Sequence, residues 1–151
     1  LLKPFNCTIL VHDILDYKDF YRSNNLQAVS LDDLLKKSDV VSLHLPQDES
    51  TENILNRDRL HLLKKDAVII NLARGRLIDE SSLKNILNEG RIAGAALDVF
   101  AEEPPITNDF ALMDNVIVTP HIGGSTEEAI IAMGVAAING LTNPRNALDF
   151  E

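Results

Sequence analysis

Ile70-Asn-Leu-Ala-Arg-Gly-Arg-Leu-Ile-Asp79 holds the end of a strand, a polar turn and the cap of a helix in one short span. The run from Ala67 to Leu72 is apolar without alternation, as in a parallel strand buried on both faces. Ala73-Arg-Gly-Arg76 reads as the turn that follows it. Asp79 is a good N-cap for a helix running to Asn88, and Gly90 stands just past its end, where a left-handed residue stops a helix. This is a strand–turn–helix unit, and a chain that repeats it builds a parallel sheet.

The unit recurs on both sides. Upstream, Cys7 to His12 reads as a strand closing on Asp13, followed by a short helix over Tyr17–Asn24 and a short strand over Gln27–Ser30. Leu31–Lys37 has helical apolar spacing, and Val40–Leu45 is a strand stopped by Pro46. A loop through Gln47–Asn53 leads to a short helix over Asp58–Leu63. Downstream, Ile92–Val99 and Val116–Thr119 read as strands, and Ser125-Thr-Glu-Glu128 as the capping box of a last helix to about Leu141. Leu1–Phe5 reads as the tail of a helix running into Pro4. The expected architecture is α/β with a parallel, doubly wound sheet.

The bulk numbers narrow the function. With 151 residues, 45% of them hydrophobic and 25% charged, the chain suits one ordinary globular domain. A net charge of −9 without a basic run argues against nucleic acid or an anionic membrane as partner. No apolar stretch approaches the length of a membrane span. Cys7 is the only cysteine, which fits a reducing, cytoplasmic setting, and it is expected as a buried filler of its strand. No second histidine or cysteine falls at ligand spacing, so no metal is expected.

In open α/β sheets the ligand crevice lies beyond the carboxyl ends of the strands. Three strands end there on chemistry: Ile70–Asp79, Ala96-Leu-Asp-Val-Phe-Ala-Glu-Glu-Pro104 and Val118-Thr-Pro-His-Ile-Gly-Gly-Ser-Thr126. Arg74, Asp98, Glu103 and His121 are therefore expected to line one cleft. A guanidinium grips a carboxylate through a bidentate fork, and a histidine held by a carboxylate moves protons near neutral pH. Each residue also has a bland reading. Arg74 alone reads more easily as a solvent-facing turn arginine, the role given to Arg76, and Glu102 is a plain surface acid beside Glu103. His12, His44 and His61 make weaker cases than His121, which precedes Gly123 and Gly124, where backbone can approach a ligand closely.

Asp13, at a strand tip, is either a solvated turn residue or the acid that binds an adenosine ribose and repels a 2′-phosphate. The rule for such an acid places a glycine fingerprint ~20 residues upstream, which here would fall before Leu1. None of the seven glycines forms that fingerprint within the chain.

Together these stretches resemble the D-isomer-specific 2-hydroxyacid dehydrogenases, in their nucleotide-binding domain. The resemblance runs from Thr8 to about Leu141 and rests on Ser38–Pro46 (S-D-V-V-S-L-H-L-P), Ile70–Arg76, Gly94–Pro104 and Thr119–Ala129. It implies a Rossmann-like fold, NAD as cofactor and a small 2-hydroxy or 2-keto acid as substrate. Pro120–Thr126 favours the members that act on 3-phosphoglycerate in serine biosynthesis. By the same resemblance Arg74 binds the substrate carboxylate, His121 is the acid–base group and Glu103 orients it. Asp98 meets the nicotinamide carboxamide, with Leu72, Ala73, Arg74, His121, Gly123 and Gly124 nearby. His44 and Pro46 lie beside the cofactor, and Asp13 holds the ribose.

The resemblance further implies that a substrate domain, the first strand and the glycine loop lie outside this chain. Residues 1–142 would then be a partial NAD-binding domain, truncated at its N-terminus, and 143–151 a tail leading back to the absent domain. The sheet would lack its central strand, and such a fragment is expected to be inactive alone, the full-length enzyme being a homodimer. A glyoxylate or hydroxypyruvate reductase, and a non-catalytic NAD-sensing corepressor of the same fold, share Arg74, Glu103 and His121 and stay open as alternatives.

Overall fold

A computed structural model describes residues 2–105, 107 and 109–142. The expected tail at 143–151 lies outside the described residues. Strands and helices alternate: β1 (Leu10–Val11), α1 (Lys18–Asn24), β2 (Gln27–Ala28), α2 (Leu31–Lys37), β3 (Val40–Leu43), α3 (Arg57–Leu60), β4 (Val68–Asn71), α4 (Glu80–Asn88), β5 (Gly94–Leu97), β6 (Val116–Val118) and α5 (Glu127–Thr142). Every ladder is parallel, so the α/β Rossmann-like expectation holds.

The strands form two sheets, β1-β2 and β3-β4-β5-β6, with no ladder between them among the described residues. Pairing explains why β1 is shorter than the run Cys7–His12. Its one neighbour among the described residues, β2, offers only Gln27 and Ala28, which register with Leu10 and Val11. Cys7 falls outside the ladder and is exposed, correcting the expectation of a buried filler.

The core lies on one face of the four-stranded sheet. Val41, Leu43, Ile69, Ala95 and Leu97 from the strands meet Leu35 of α2, Leu60 of α3 and Leu83, Ile86 and Leu87 of α4, all buried. Burying a leucine contributes about 1.5–3 kcal/mol, so this cluster dominates the stability of the domain. On the opposite face Val40 and Ile117 stay exposed, and α5 shows Ile130, Ile131, Met133 and Ile138 to solvent. No helix among the described residues is long and apolar enough to cross a membrane.

Side-chain caps set the helix starts, and they shift several expected ends. Asp79 caps α4 as expected, its Oδ1 accepting Ser82 N–H at 3.1 Å, and Gly90 follows at φ +60°. Ser30, expected as the end of a strand, instead caps α2 by accepting Asp33 N–H at 3.1 Å. Asn56 caps α3 by accepting Arg59 N–H at 3.0 Å, so this helix starts before Asp58. At α5 Thr126 rather than Ser125 is the cap, its Oγ1 accepting Ala129 N–H at 3.2 Å. A short hydroxyl side chain reaches only two or three residues ahead, and the helical start at Glu127 decides which hydroxyl is in range.

Candidate active site

The register of the larger sheet aligns its strand ends in one row: Leu43 beside Asn71, Asn71 beside Leu97, Leu97 beside Val118. Because the strands are parallel, the residues after them leave from one edge. These are His44, Leu72–Arg74, Asp98 and Thr119–His121, so the single-edge expectation is met for the three stretches that carry chemistry.

At the end of β4, buried Asn71 builds the turn. Its Oδ1 accepts Ala73 N–H at 3.1 Å and its Nδ2 donates to Arg74 O at 2.9 Å, so one amide encloses the three following residues. Arg74 is exposed, and its guanidinium donates to the Ala73 carbonyl at 2.6 Å. No hydrogen bond joins it to Glu103 or His121 among the described residues. Arg76 pairs with Glu52 at 3.6 Å, which is the surface role expected of it.

Gly75 lies flat against the next turn. A Cβ there would sit 1.9 Å from the Phe100 carbonyl carbon and 2.4 Å from the Ala101 nitrogen. The turns after β4 and β5 are thus in backbone contact, and only glycine permits that approach.

At the end of β5, Asp98 is 1% exposed. Its Oδ1 accepts the Thr119 hydroxyl and, at 2.9 Å, Ile122 N–H; its Oδ2 accepts Gly123 N–H at 2.8 Å. Burial pulls this carboxyl upward, but the hydrogen bonds from Thr119 and the two amides, with the nearby His121 charge, outweigh it and hold the group below its ordinary value. Asp98 therefore sits beneath the turn after β6 and grips it. A Cβ on Gly123 would come within 3.0 Å of Asp98 Oδ2, whereas Gly124 has open space around it.

His121 stands on that turn at φ 54°, a left-handed conformation uncommon outside glycine. Its Nδ1 meets Glu103 Oε2 at 2.6 Å. The other carboxylate oxygen, Oε1, accepts Phe100 N–H at 3.0 Å. The histidine bond first, then the Phe100 amide, lower the Glu103 carboxyl, against a smaller upward pull from burial. An ionised carboxylate only accepts, so the imidazole proton is held on Nδ1 and Nε2 is left for a reacting group. The expected pairing of Glu103 with His121 is present, while exposed Glu102 takes no part in it.

The remaining expected positions lie apart from this pair. Asp13, exposed after β1, belongs to the smaller sheet, and its Oδ1 accepts Leu15 N–H at 2.9 Å, leaving the second oxygen for another donor. His44 Nε2 meets Ser42 Oγ at 2.9 Å, and the Pro46 carbonyl accepts the Thr51 hydroxyl at 2.8 Å. No cluster of ligand-type side chains suited to a metal is found among the described residues.

Three residues that work in this site went unmarked in the sequence: Asn71, Thr119 and Glu80. Asn71 had a readable signal, a lone amide closing an otherwise apolar strand. Glu80 and Thr119 had none, since their partners are 21 residues away.

Comparison with known proteins shows the family and the fold. Residues 1–123 match the family described as D-isomer specific 2-hydroxyacid dehydrogenase, NAD binding domain. The chain is 45% identical over 133 residues to D-3-phosphoglycerate dehydrogenase of Methanocaldococcus jannaschii, covering 87% of this chain and 25% of that protein. It is 43% identical over 124 residues to glyoxylate reductase of Pyrococcus horikoshii, covering 82% and 37%. The crystal structure of a glyoxylate reductase from Paecilomyes thermophila superposes with a TM-score of 0.87 at 34% identity, covering 93% of this chain and 42% of that one. The chain thus spans between a quarter and about two-fifths of the length of these relatives.

Proposed function

The chain belongs to the D-isomer specific 2-hydroxyacid dehydrogenases, as their NAD-binding domain, and from that premise we propose that the full-length protein oxidises a D-2-hydroxy acid with NAD, and that the acid is 3-phosphoglycerate. The observation that carries the dehydrogenase reading is the 2.6 Å contact between His121 Nδ1 and Glu103 Oε2, set at the same sheet edge as Arg74, and 3-phosphoglycerate is favoured by the Pro120–Thr126 stretch and the 45% identity to a D-3-phosphoglycerate dehydrogenase.

NAD suits the residues present. A carboxylate at the tip of β1 has one oxygen free to accept from a ribose diol, and it would repel a 2′-phosphate. Leu72, 53% exposed, offers an apolar surface at the end of β4. When bound, the nicotinamide supplies the hydride acceptor. Arg74 would bind the substrate carboxylate through its fork, Glu103 would keep the imidazole oriented, and His121 Nε2 would take the hydroxyl proton as the C–H hydride leaves. In the reverse direction His121 returns that proton to the carbonyl oxygen. Asp98 would meet the nicotinamide carboxamide while it fastens the turn after β6. His44, Pro46, Ala73, Gly123 and Gly124 belong to the same cofactor surface in this reading.

A second reading, reduction of glyoxylate or hydroxypyruvate, has the support of the glyoxylate reductases among the similar proteins. Both use the same three residues and differ in what holds the rest of the substrate. The reading also includes a cytoplasmic homodimer. Comparing kcat/KM for 3-phosphoglycerate oxidation with that for glyoxylate and hydroxypyruvate reduction, on the full-length enzyme, decides between them. A protein that binds NAD tightly and turns over none of these acids would sink both.

A further inference from the structure

We propose that Glu80 is a positioning residue for the acid–base pair: its carboxylate fixes the Phe100–Ala101 peptide against Gly75, and the turn that contains this peptide presents Glu103 to His121. Glu80 opens α4, and its Oε1 accepts Ala101 N–H at 2.6 Å across 21 residues of sequence. On another side the same peptide is stopped by Gly75, whose Cα leaves no room for a Cβ. One residue earlier, Phe100 N–H donates to Glu103 Oε1 at 3.0 Å, and Glu103 Oε2 meets the imidazole at 2.6 Å.

The contacts form a chain with no slack. If the Ala101 amide is released, the Phe100–Ala101 peptide can shift, and the displacement passes through the Phe100 Cα to the preceding peptide, which carries the Phe100 N–H, and through Ala101 and Glu102 to the backbone of Glu103. Glu103 then loses the donor that sets the angle of its carboxylate. His121 would keep a partner at a poorer angle, which costs little in stability and much in a reaction that needs a fixed geometry. Charge-assisted bonds to backbone amides are about twice as strong as neutral ones, so a carboxylate suits this task. The segment from Gly75 to Glu80 thereby holds the Phe100–Glu103 turn at two points. Arg74 directly precedes this segment, so the same grip sets where the proposed substrate-binding arginine stands relative to Glu103.

A simpler role for Glu80 is to stabilise the start of α4 by its charge. Two substitutions separate the roles, because Glu80→Gln keeps the acceptor and loses the charge, whereas Glu80→Asp keeps the charge and withdraws the acceptor by one methylene. The proposal rests on the dehydrogenase reading above, so the test pairs kinetics with a measurement that needs no turnover. In the full-length enzyme, Glu80→Asp should lower kcat about tenfold or more with KM for NAD little changed, and Glu80→Gln should stay within about threefold of wild type. Carbon-13 NMR of the Glu103 carboxyl, without ligand, should show its titration moving up toward the ordinary carboxylate range in Glu80→Asp and Glu80→Ala but not in Glu80→Gln. Equal loss in Gln and Asp, or an unmoved Glu103 titration in Asp and Ala, overturns the positioning role. If the wild type turns over no hydroxy acid, the dehydrogenase reading fails while the titration still decides the role of Glu80.

Discussion

Asp98 fastens the turn on which His121 stands, accepting Ile122 N–H at 2.9 Å and Gly123 N–H at 2.8 Å. His121 occupies the left-handed region, φ 54°, which costs a non-glycine residue about 1–2 kcal/mol. Hydrogen bonds to a charged acceptor contribute about 1.5–3 kcal/mol each, enough to offset that cost. The conformation of the histidine is thus maintained by a buried residue 23 positions earlier in the chain, counting from 98 to 121.

Removing the clamp should therefore cost stability. Asp98→Ala leaves two backbone donors beneath the turn without their acceptor, a loss of about 1–3 kcal/mol each if water cannot replace it. Asp98→Asn should also destabilise, because one amide N–H would face the new NH₂ group. Urea denaturation of each variant checks this, and a midpoint unchanged in Asp98→Ala would mean the turn holds itself.

Asp98 and Glu103 both titrate below their ordinary values in the folded chain. Between folded and unfolded pKa values the unfolded state binds more protons, so stability rises with pH there. Their contribution is complete above the unfolded values, roughly pH 4 to 5, and is lost as pH falls through the lower folded values. Denaturation midpoints measured from pH 7 down to pH 3 should fall most steeply below about pH 4, and Glu103→Gln should flatten part of that fall.

In the full-length enzyme His121→Ala should lower kcat by about 10²–10⁴-fold, the usual contribution of general acid–base catalysis, with NAD affinity nearly intact. Arg74→Lys keeps a charge and loses the fork, so kcat/KM for the acid should fall sharply while NAD binding is again retained. Steady-state kinetics together with NAD titration by fluorescence measure both. Loss of NAD affinity in His121→Ala would place the imidazole on the cofactor instead of the substrate.

Asp13 sets cofactor choice in the proposed reading. Asp13→Ala should weaken NAD binding and narrow the preference over NADP by about tenfold, with the chemical step less affected. The ratio of kcat/KM for the two cofactors, before and after substitution, reports it. Comparable values in the wild type would leave Asp13 as the Asx-turn residue that its bond to Leu15 N–H already makes it.

Much of this was legible because it is written in adjacent residues. The apolar runs Val40–Leu45, Ala67–Leu72, Ile92–Val99 and Val116–Thr119 mark parallel strands, whose ladders stop one or two residues sooner, and the polar residues around their ends mark the candidate functional edge. Arg74, Glu103 and His121 are marked by their places after strand ends and by the family resemblance rather than by contrast with neighbours such as Arg76 and Glu102, and Asp79 announces α4. Strand length was less legible: Cys7–His12 has the composition of a strand, yet only Leu10 and Val11 find a partner. A ladder needs a neighbour, and composition does not report one.

What the sequence by itself determined, then, is the alternation of elements, the edge where the chemistry sits and the residue types able to perform it. All of these follow from local period, turn chemistry and side-chain pKa. The tertiary structure alone decided that Glu103 reaches His121, that Asp98 faces inward to hold a turn, and that Glu80 and Gly75 clasp the Phe100–Ala101 peptide. These contacts join residues 18 to 26 positions apart, counting 121−103 and 101−75 as the extremes. Their existence depends on sheet register and on the exit angle of each turn, which the packing of α2, α3 and α4 under the strands sets. No span of neighbouring side chains carries that information.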